Sequence, residues 1–125
     1  MKEIIATNNV PAAIGAYSQA VKVNGMLFAS GQLGIDPATG NLAGEDFRSQ
    51  ANQSLKNVAA ILAAAGTSFD KVVKVTVFMA DMADFAALNE LYAQYFVAPY
   101  PARSAVAVKT LPKNALVEIE VIAEL

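Results

Sequence analysis

The sequence predicts an α+β fold, a mixed β-sheet with two helices packed on one face. Three observations carry that reading. The runs "YSQAVKV" and "MLFASGQL" flank Asn24-Gly25, the strongest short hairpin signal, because both turn residues tolerate positive φ. Phe47, Ala51, Leu55, Val58 and Leu62 recur at spacings of four and three, which is one face of a helix. "KVVKVTVFMA" is dense in β-branched residues and reads as a strand. Strand and helix runs mixed in this order, without repeat or linker, describe one domain over residues 1–125.

The remaining elements follow in order. "IIA" at Ile4 to Ala6 reads as a short first strand, and "GIDPATGNLAG" as a loop. The first helix begins near Asp46 and ends at Gly66, a residue suited to a left-handed cap. Asp81 or Asp84 caps the second helix. Its buried face is Phe85, Leu88, Tyr92 and Tyr95 or Phe96. Pro99 and Pro101 end it and extend the chain. Strands near Arg103–Lys109 and Leu116–Glu124 close the sequence, joined through "KTLPKNA".

Two helices cover only one face of a sheet. Yet alternation puts Val73, Val75 and Val77 on one face of the middle strand, and Val72, Phe78 and Ala80 on the other with Lys74 and Thr76. A partly apolar uncovered face finds a partner, so a homo-oligomer with packed sheets is expected.

Composition narrows the chemistry. The chain is 55% hydrophobic and 16% charged, which excludes a disordered segment. A net charge of −2 without a basic cluster disfavours nucleic acid as the principal partner. There is no cysteine and no histidine. Disulfides, thiol nucleophiles, Ser-His-Asp triads and the usual zinc ligands are therefore excluded together, and no metal site is expected. No apolar run approaches the roughly 20 residues of a membrane span, and the N-terminus lacks a signal-peptide pattern. A soluble, cytoplasmic protein is the expectation.

Charges within strand patterns are the candidate site residues. Arg103 shares a face with Ala105 and Ala107, which leaves room beside a guanidinium able to hold a carboxylate at two points. Pattern alone also describes an arginine paired with a carboxylate at an interface, and favours that reading over a ligand site. Glu118, Glu120, Ile122 and Glu124 share another strand face. They read either as solvated edge charges or as including one enclosed acid, and periodicity does not select which. Tyr17 and Ser30 lie on the hairpin, Gly31 admits close approach to its N–H, and Asn89 lies in the second helix.

Taken together, "PAAIGAYSQAV", "ASGQLGIDPATG", "ANQSLKNVAAILAAAG", "VVKVTVFMADMADFAALNELYAQYF", "PARSAVAV" and "LPKNALVEIEVIA" resemble the RidA or YjgF family in order and spacing over nearly the whole chain. The resemblance implies a chorismate-mutase-like fold, a homotrimer with a barrel-like core, and clefts between subunits as active sites. It implies cofactor-independent hydrolysis of 2-imino or 2-enamino acids, such as 2-iminobutanoate and 2-iminopropanoate, to 2-oxo acids and ammonia. It places the substrate-carboxylate arginine at Arg103 and the water-positioning glutamate at Glu118. Tyr17, Ser30, Gly31 and Asn89 fall on the family's other site positions. Two departures stand out: Ala105 replaces a common cysteine and Ala16 a common proline. The alternative is a non-catalytic 2-oxo-acid-binding regulatory or chaperone-like protein of the same fold.

Overall fold

The computed structural model describes residues 1–125. The elements are β1 (Glu3–Ile5), β2 (Ala20–Val23), β3 (Met26–Ala29), β4 (Gln32–Leu33), α1 (Phe47–Ala65), β5 (Val72–Met79), α2 (Phe85–Tyr92), β6 (Ala102–Ala107) and β7 (Val117–Glu124). All strands join one sheet in the order β1-β2-β3-β7-β5-β6, and β4 also pairs with β7. Pairing is antiparallel except for β5 with β6, the parallel pair whose crossover contains α2. This is the predicted α+β sheet with two helices on one face.

Local chemistry sets the boundaries. Asn24 and Gly25 take φ of 51° and 75°, the twist a two-residue hairpin needs. The strand predicted to run through "FASGQL" breaks at Ser30–Gly31. Its two pieces, β3 and β4, lie in succession along the same edge of β7. The Asp46 side chain accepts the Ser49 N–H at 3.0 Å and starts α1. Gly66, at φ 81°, ends it. Asp81 caps the short turn before α2 by accepting the Ala83 N–H at 2.9 Å. α2 stops at Tyr92, earlier than the prolines implied, and irregular turns carry the chain to Pro99.

Leu55, Val58, Ile61 and Leu62 of α1 and Leu88 of α2 bury against Val75, Val77, Met79, Val117, Ile119 and Val121. Strict alternation failed at Val73. A register shift between Val72 and Lys74 turns Val72 into the core and Val73 out, because a bulge inverts the alternation beyond it. The face away from the helices carries Phe28, Phe78, Val106 and Ile122 among Lys74, Thr76, Glu118 and Glu120, as the register places them.

Candidate functional site

The sequence-predicted residues gather into two clusters. The first surrounds Arg103 on the edge strand β6. Arg103 pairs in register with buried Val75, so its side chain leaves the sheet on the helix side. There α2 presents Phe85, Asn89 and Tyr92, a helical i, i+4, i+7 row. Arg103 Nη1 donates to Asn89 Oδ1 at 2.9 Å. The guanidinium carbon lies 4.7 Å from the Tyr92 ring centroid and 5.4 Å from that of Phe85, within cation–π range. No carboxylate of the chain pairs with it, since the ion pairs are Lys22–Glu3 and Arg48–Glu90. The guanidinium therefore keeps free donors facing a cavity of about 360 Å³, lined also by Tyr100 and Pro101.

Tyr92 adds an anomaly. Its hydroxyl oxygen is buried without a hydrogen-bond partner. Burial pushes the phenol pKa up, and the Arg103 charge partly opposes that.

The second cluster surrounds Glu118. In register this residue lies between Leu33 of β4 and Phe78 of β5, on the face away from the helices. Burial raises its pKa above the ordinary carboxylate value, and the Glu120 charge pushes in the same direction. Gly31 explains how the carboxyl is enclosed. A Cβ at Gly31 would lie 2.8 Å from Glu118 Cγ and Cδ, so a side chain there would push the carboxyl aside. No hydrogen bond within the chain uses the Gly31 N–H. Ser30 is held by its own N–H to the Gln19 carbonyl at 3.0 Å and by its hydroxyl to the Ser18 carbonyl at 2.6 Å. Tyr17, Ser30, Gly31 and Glu118 line one cavity of about 690 Å³.

Thus the structure brings Arg103 to Asn89, and Glu118 to Tyr17, Ser30 and Gly31. It does not join the two sets. No cavity holds both Arg103 and Glu118, and their registers assign them to opposite faces. Sequence reading placed Phe85 and Tyr92 in the core and missed their contact with Arg103. Their spacing around Asn89 is the signal that could have found it. It also missed buried Gln50, Ser54 and Asn57, whose spacing on α1 repeats that of the apolar face.

Comparison with known proteins agrees with the motifs. The family model described as endoribonuclease L-PSP matches residues 7–125. A RutC family protein of Pyrococcus horikoshii is 54% identical, over 98% of both chains. The 2-iminobutanoate/2-iminopropanoate deaminase of Capra hircus is 51% identical, over 98% of this chain and 90% of that one. The crystal structure of E. coli TdcF with bound serine superposes with a TM-score of 0.93 at 47% identity, covering 98% of each chain. The chain belongs to the endoribonuclease L-PSP family, the YjgF or RidA family that its motifs resemble.

Proposed function

We propose that the protein hydrolyses 2-imino and 2-enamino acids, such as 2-iminobutanoate and 2-iminopropanoate, to the 2-oxo acid and ammonia. It does so without a cofactor, as a homotrimer whose active sites lie between subunits. The single observation behind this reading is the division of the site. An arginine with no acid partner and a carboxyl with a raised pKa stand on opposite sides of one sheet. Each lacks what the other supplies. A second copy laid against the face that holds Glu118 would bring its own β6 edge, and Arg103, to that carboxyl. The apolar residues Phe28 and Val106, about half exposed on that face, favour such cover. The serine bound to E. coli TdcF is a ligand of the same kind, a small molecule with a carboxylate beside a nitrogen-bearing carbon.

In this scheme Arg103 of one subunit grips the substrate carboxylate and orients the C=N carbon. Glu118 of another takes a proton from water as the water oxygen attacks that carbon. The C=N π electrons move onto nitrogen, and Glu118 passes the proton it took from water to that nitrogen. The resulting carbinolamine then collapses. Glu118, a carboxylate again, takes the hydroxyl proton as C=O forms and delivers it to the nitrogen as the C–N bond breaks, so ammonia departs. The Gly31 N–H and Tyr17 hydroxyl bound the reacting centre. Net charge and the absence of histidine favour a small metabolite over RNA as substrate. We place the protein in the cytoplasm, and no helix is long and apolar enough to cross a membrane.

A second reading has one specific observation in its favour. The Arg103 cluster, with its arginine, amide and aromatic rings, is a complete carboxylate receptor on its own. A 2-oxo-acid-binding regulatory protein needs no more.

Mixing separates the readings. Arg103→Ala and Glu118→Gln are each expected to cut imine removal by roughly 10²-fold or more, assayed beside a threonine dehydratase that supplies the imine. Unfolding and refolding the two variants together should restore part of the activity, because some clefts then combine an intact Arg103 with an intact Glu118. No restoration in well-formed mixed trimers overturns the shared site. A parent protein that binds 2-oxo acids but removes no imine favours the regulatory reading.

A further inference from the structure

α1 carries a second stripe that its hydrophobic pattern hides. Gln50, Ser54 and Asn57 follow one another at spacings of four and three and are all almost fully buried, at 3%, 0% and 1% exposure. Burying such groups is costly unless each finds a partner, and here each bonds to backbone. Ser54 Oγ donates to the Gln32 carbonyl at 2.6 Å. Asn57 Nδ2 donates to the carbonyls of Leu33 at 3.2 Å and Ile35 at 2.9 Å. Gln50 Nε2 donates to the Gly44 carbonyl at 2.9 Å, while its Oε1 accepts the Leu116 N–H at 2.8 Å. Gly34 makes the approach possible, since a Cβ there would collide with the Gln50 backbone.

These targets converge on one place. Gln32 and Leu33 are the whole of β4, directly after Gly31. Leu116 stands two residues before Glu118. β4 pairs with Ile119 and Glu118, and two residues are too few to hold a register by strand pairing alone. Yet the enclosure of the Glu118 carboxyl depends on where Gly31 sits.

We infer that the Gln50–Ser54–Asn57 stripe of α1 positions the Glu118 carboxyl, by fixing β4 beside it and the entry to its own strand, β7. The inference rests on the reading of Glu118 as the group that handles the proton. It goes further by giving that role's geometry to a helix face outside the Glu118 cavity. Loosening the stripe lets Gly31 lift from the carboxyl and admits water. The other titratable groups facing Glu118 are Glu120 on its own strand, Tyr17 and Lys113 across the cavity, and Lys74 on β5 beside Glu120. None is touched by these substitutions.

The test uses the full chain. Ser54→Ala removes one donor without adding bulk. Asn57→Leu removes two donors at similar size. Ile61→Val is the control, a buried position of the same helix with no polar contact. Carbon-13 NMR titration of the Glu118 carboxyl should show the midpoint moving down, toward an ordinary glutamate, in the first two variants and staying in place in the control. Turnover of imine should fall about tenfold or more with KM nearly unchanged, because the carboxylate anchor lies elsewhere. An unshifted midpoint in folded Ser54→Ala overturns the inference, and so does an equal shift in Ile61→Val. If Asn57→Leu does not fold, Ser54→Ala alone decides. If the parent removes no imine, the functional reading falls, and the titration still decides the positioning role.

Discussion

At Arg103 the fold supports a full charge, whereas at Glu118 it works against one. The guanidinium has two aromatic faces and an amide oxygen within reach, and all three favour the cation. The carboxyl is partly buried and shares its strand face with a second glutamate, and both disfavour the anion. A group meant to hold a ligand is best kept permanently charged. A group meant to exchange protons is best held near its own titration. The difference teaches that one sheet can serve both needs when the groups leave it on opposite faces.

The largest expected effect breaks the Glu118 side of that contrast. Glu118→Gln preserves size and hydrogen bonding but removes the exchangeable proton. Imine decay above the spontaneous rate should fall roughly 10²-fold or more, a usual general acid–base contribution. Binding of a 2-oxo acid should persist through Arg103. Glu120→Gln, one step away on the same face, should cost little. Loss confined to Glu120→Gln would move the site assignment along the strand.

The Arg103 side breaks next. Arg103→Lys keeps the charge but loses the planar edge that grips a carboxylate at two points. Affinity for a 2-oxo acid should fall on the order of tenfold, since a charge-assisted hydrogen bond contributes about 1.5–3 kcal/mol. Calorimetric titration checks this. Unchanged affinity would make Arg103 a purely structural residue.

Which parts of this arrangement the sequence disclosed follows from the range of each interaction. The Asn24-Gly25 hairpin, the Asp46 and Gly66 caps and the apolar face of α1 were legible, because local dihedral and periodicity rules decide them. The bulge that turns Val73 outward was not, since one extra residue in a strand leaves no trace in an alternating pattern. Neither was the closeness of Gly31 to Glu118, a contact between segments far apart in the chain. Gln50, Ser54 and Asn57 escaped for another reason. Polar residues on a helix read as solvent-facing until the backbone they satisfy is known. Motif resemblance named Arg103 and Glu118 together, and only the structure shows them leaving the sheet on opposite faces.

A smaller effect sharpens the comparison through pH. The folded chain binds a proton at Glu118 more tightly than the unfolded chain does, because burial and Glu120 raise the folded pKa. Below the ordinary glutamate value the carboxyl is neutral in both states and costs nothing. As pH rises from there through the raised folded value, the unfolded state gives up the proton more readily, and stability is lost. Thermal melts of the parent and Glu118→Gln should therefore diverge as pH rises through that window, with the parent the less stable at its upper end. Curves that diverge in the opposite direction would mean the carboxylate is stabilised where it sits.

The smallest effect belongs to Tyr92, where the Arg103 cluster carries a feature its role does not require. The ring lies against the guanidinium, but the hydroxyl oxygen is buried with no partner. Such a group costs about 1–3 kcal/mol relative to one that keeps its hydrogen bonds. Tyr92→Phe retains the ring, its stacking on Phe96 at 4.3 Å between centroids and its attraction to the cation, and deletes only the oxygen. Stability should rise by up to about 1 kcal/mol, part of the gain being lost to the small void left behind. Affinity for a 2-oxo acid should not change, because the ring face and not the hydroxyl supports Arg103. Denaturant melts and a binding titration on the same variant read both quantities. A fall in affinity would show that the phenol reaches the ligand or a neighbouring subunit in the assembled protein, and the support of Arg103 would then include a hydrogen bond as well as a ring.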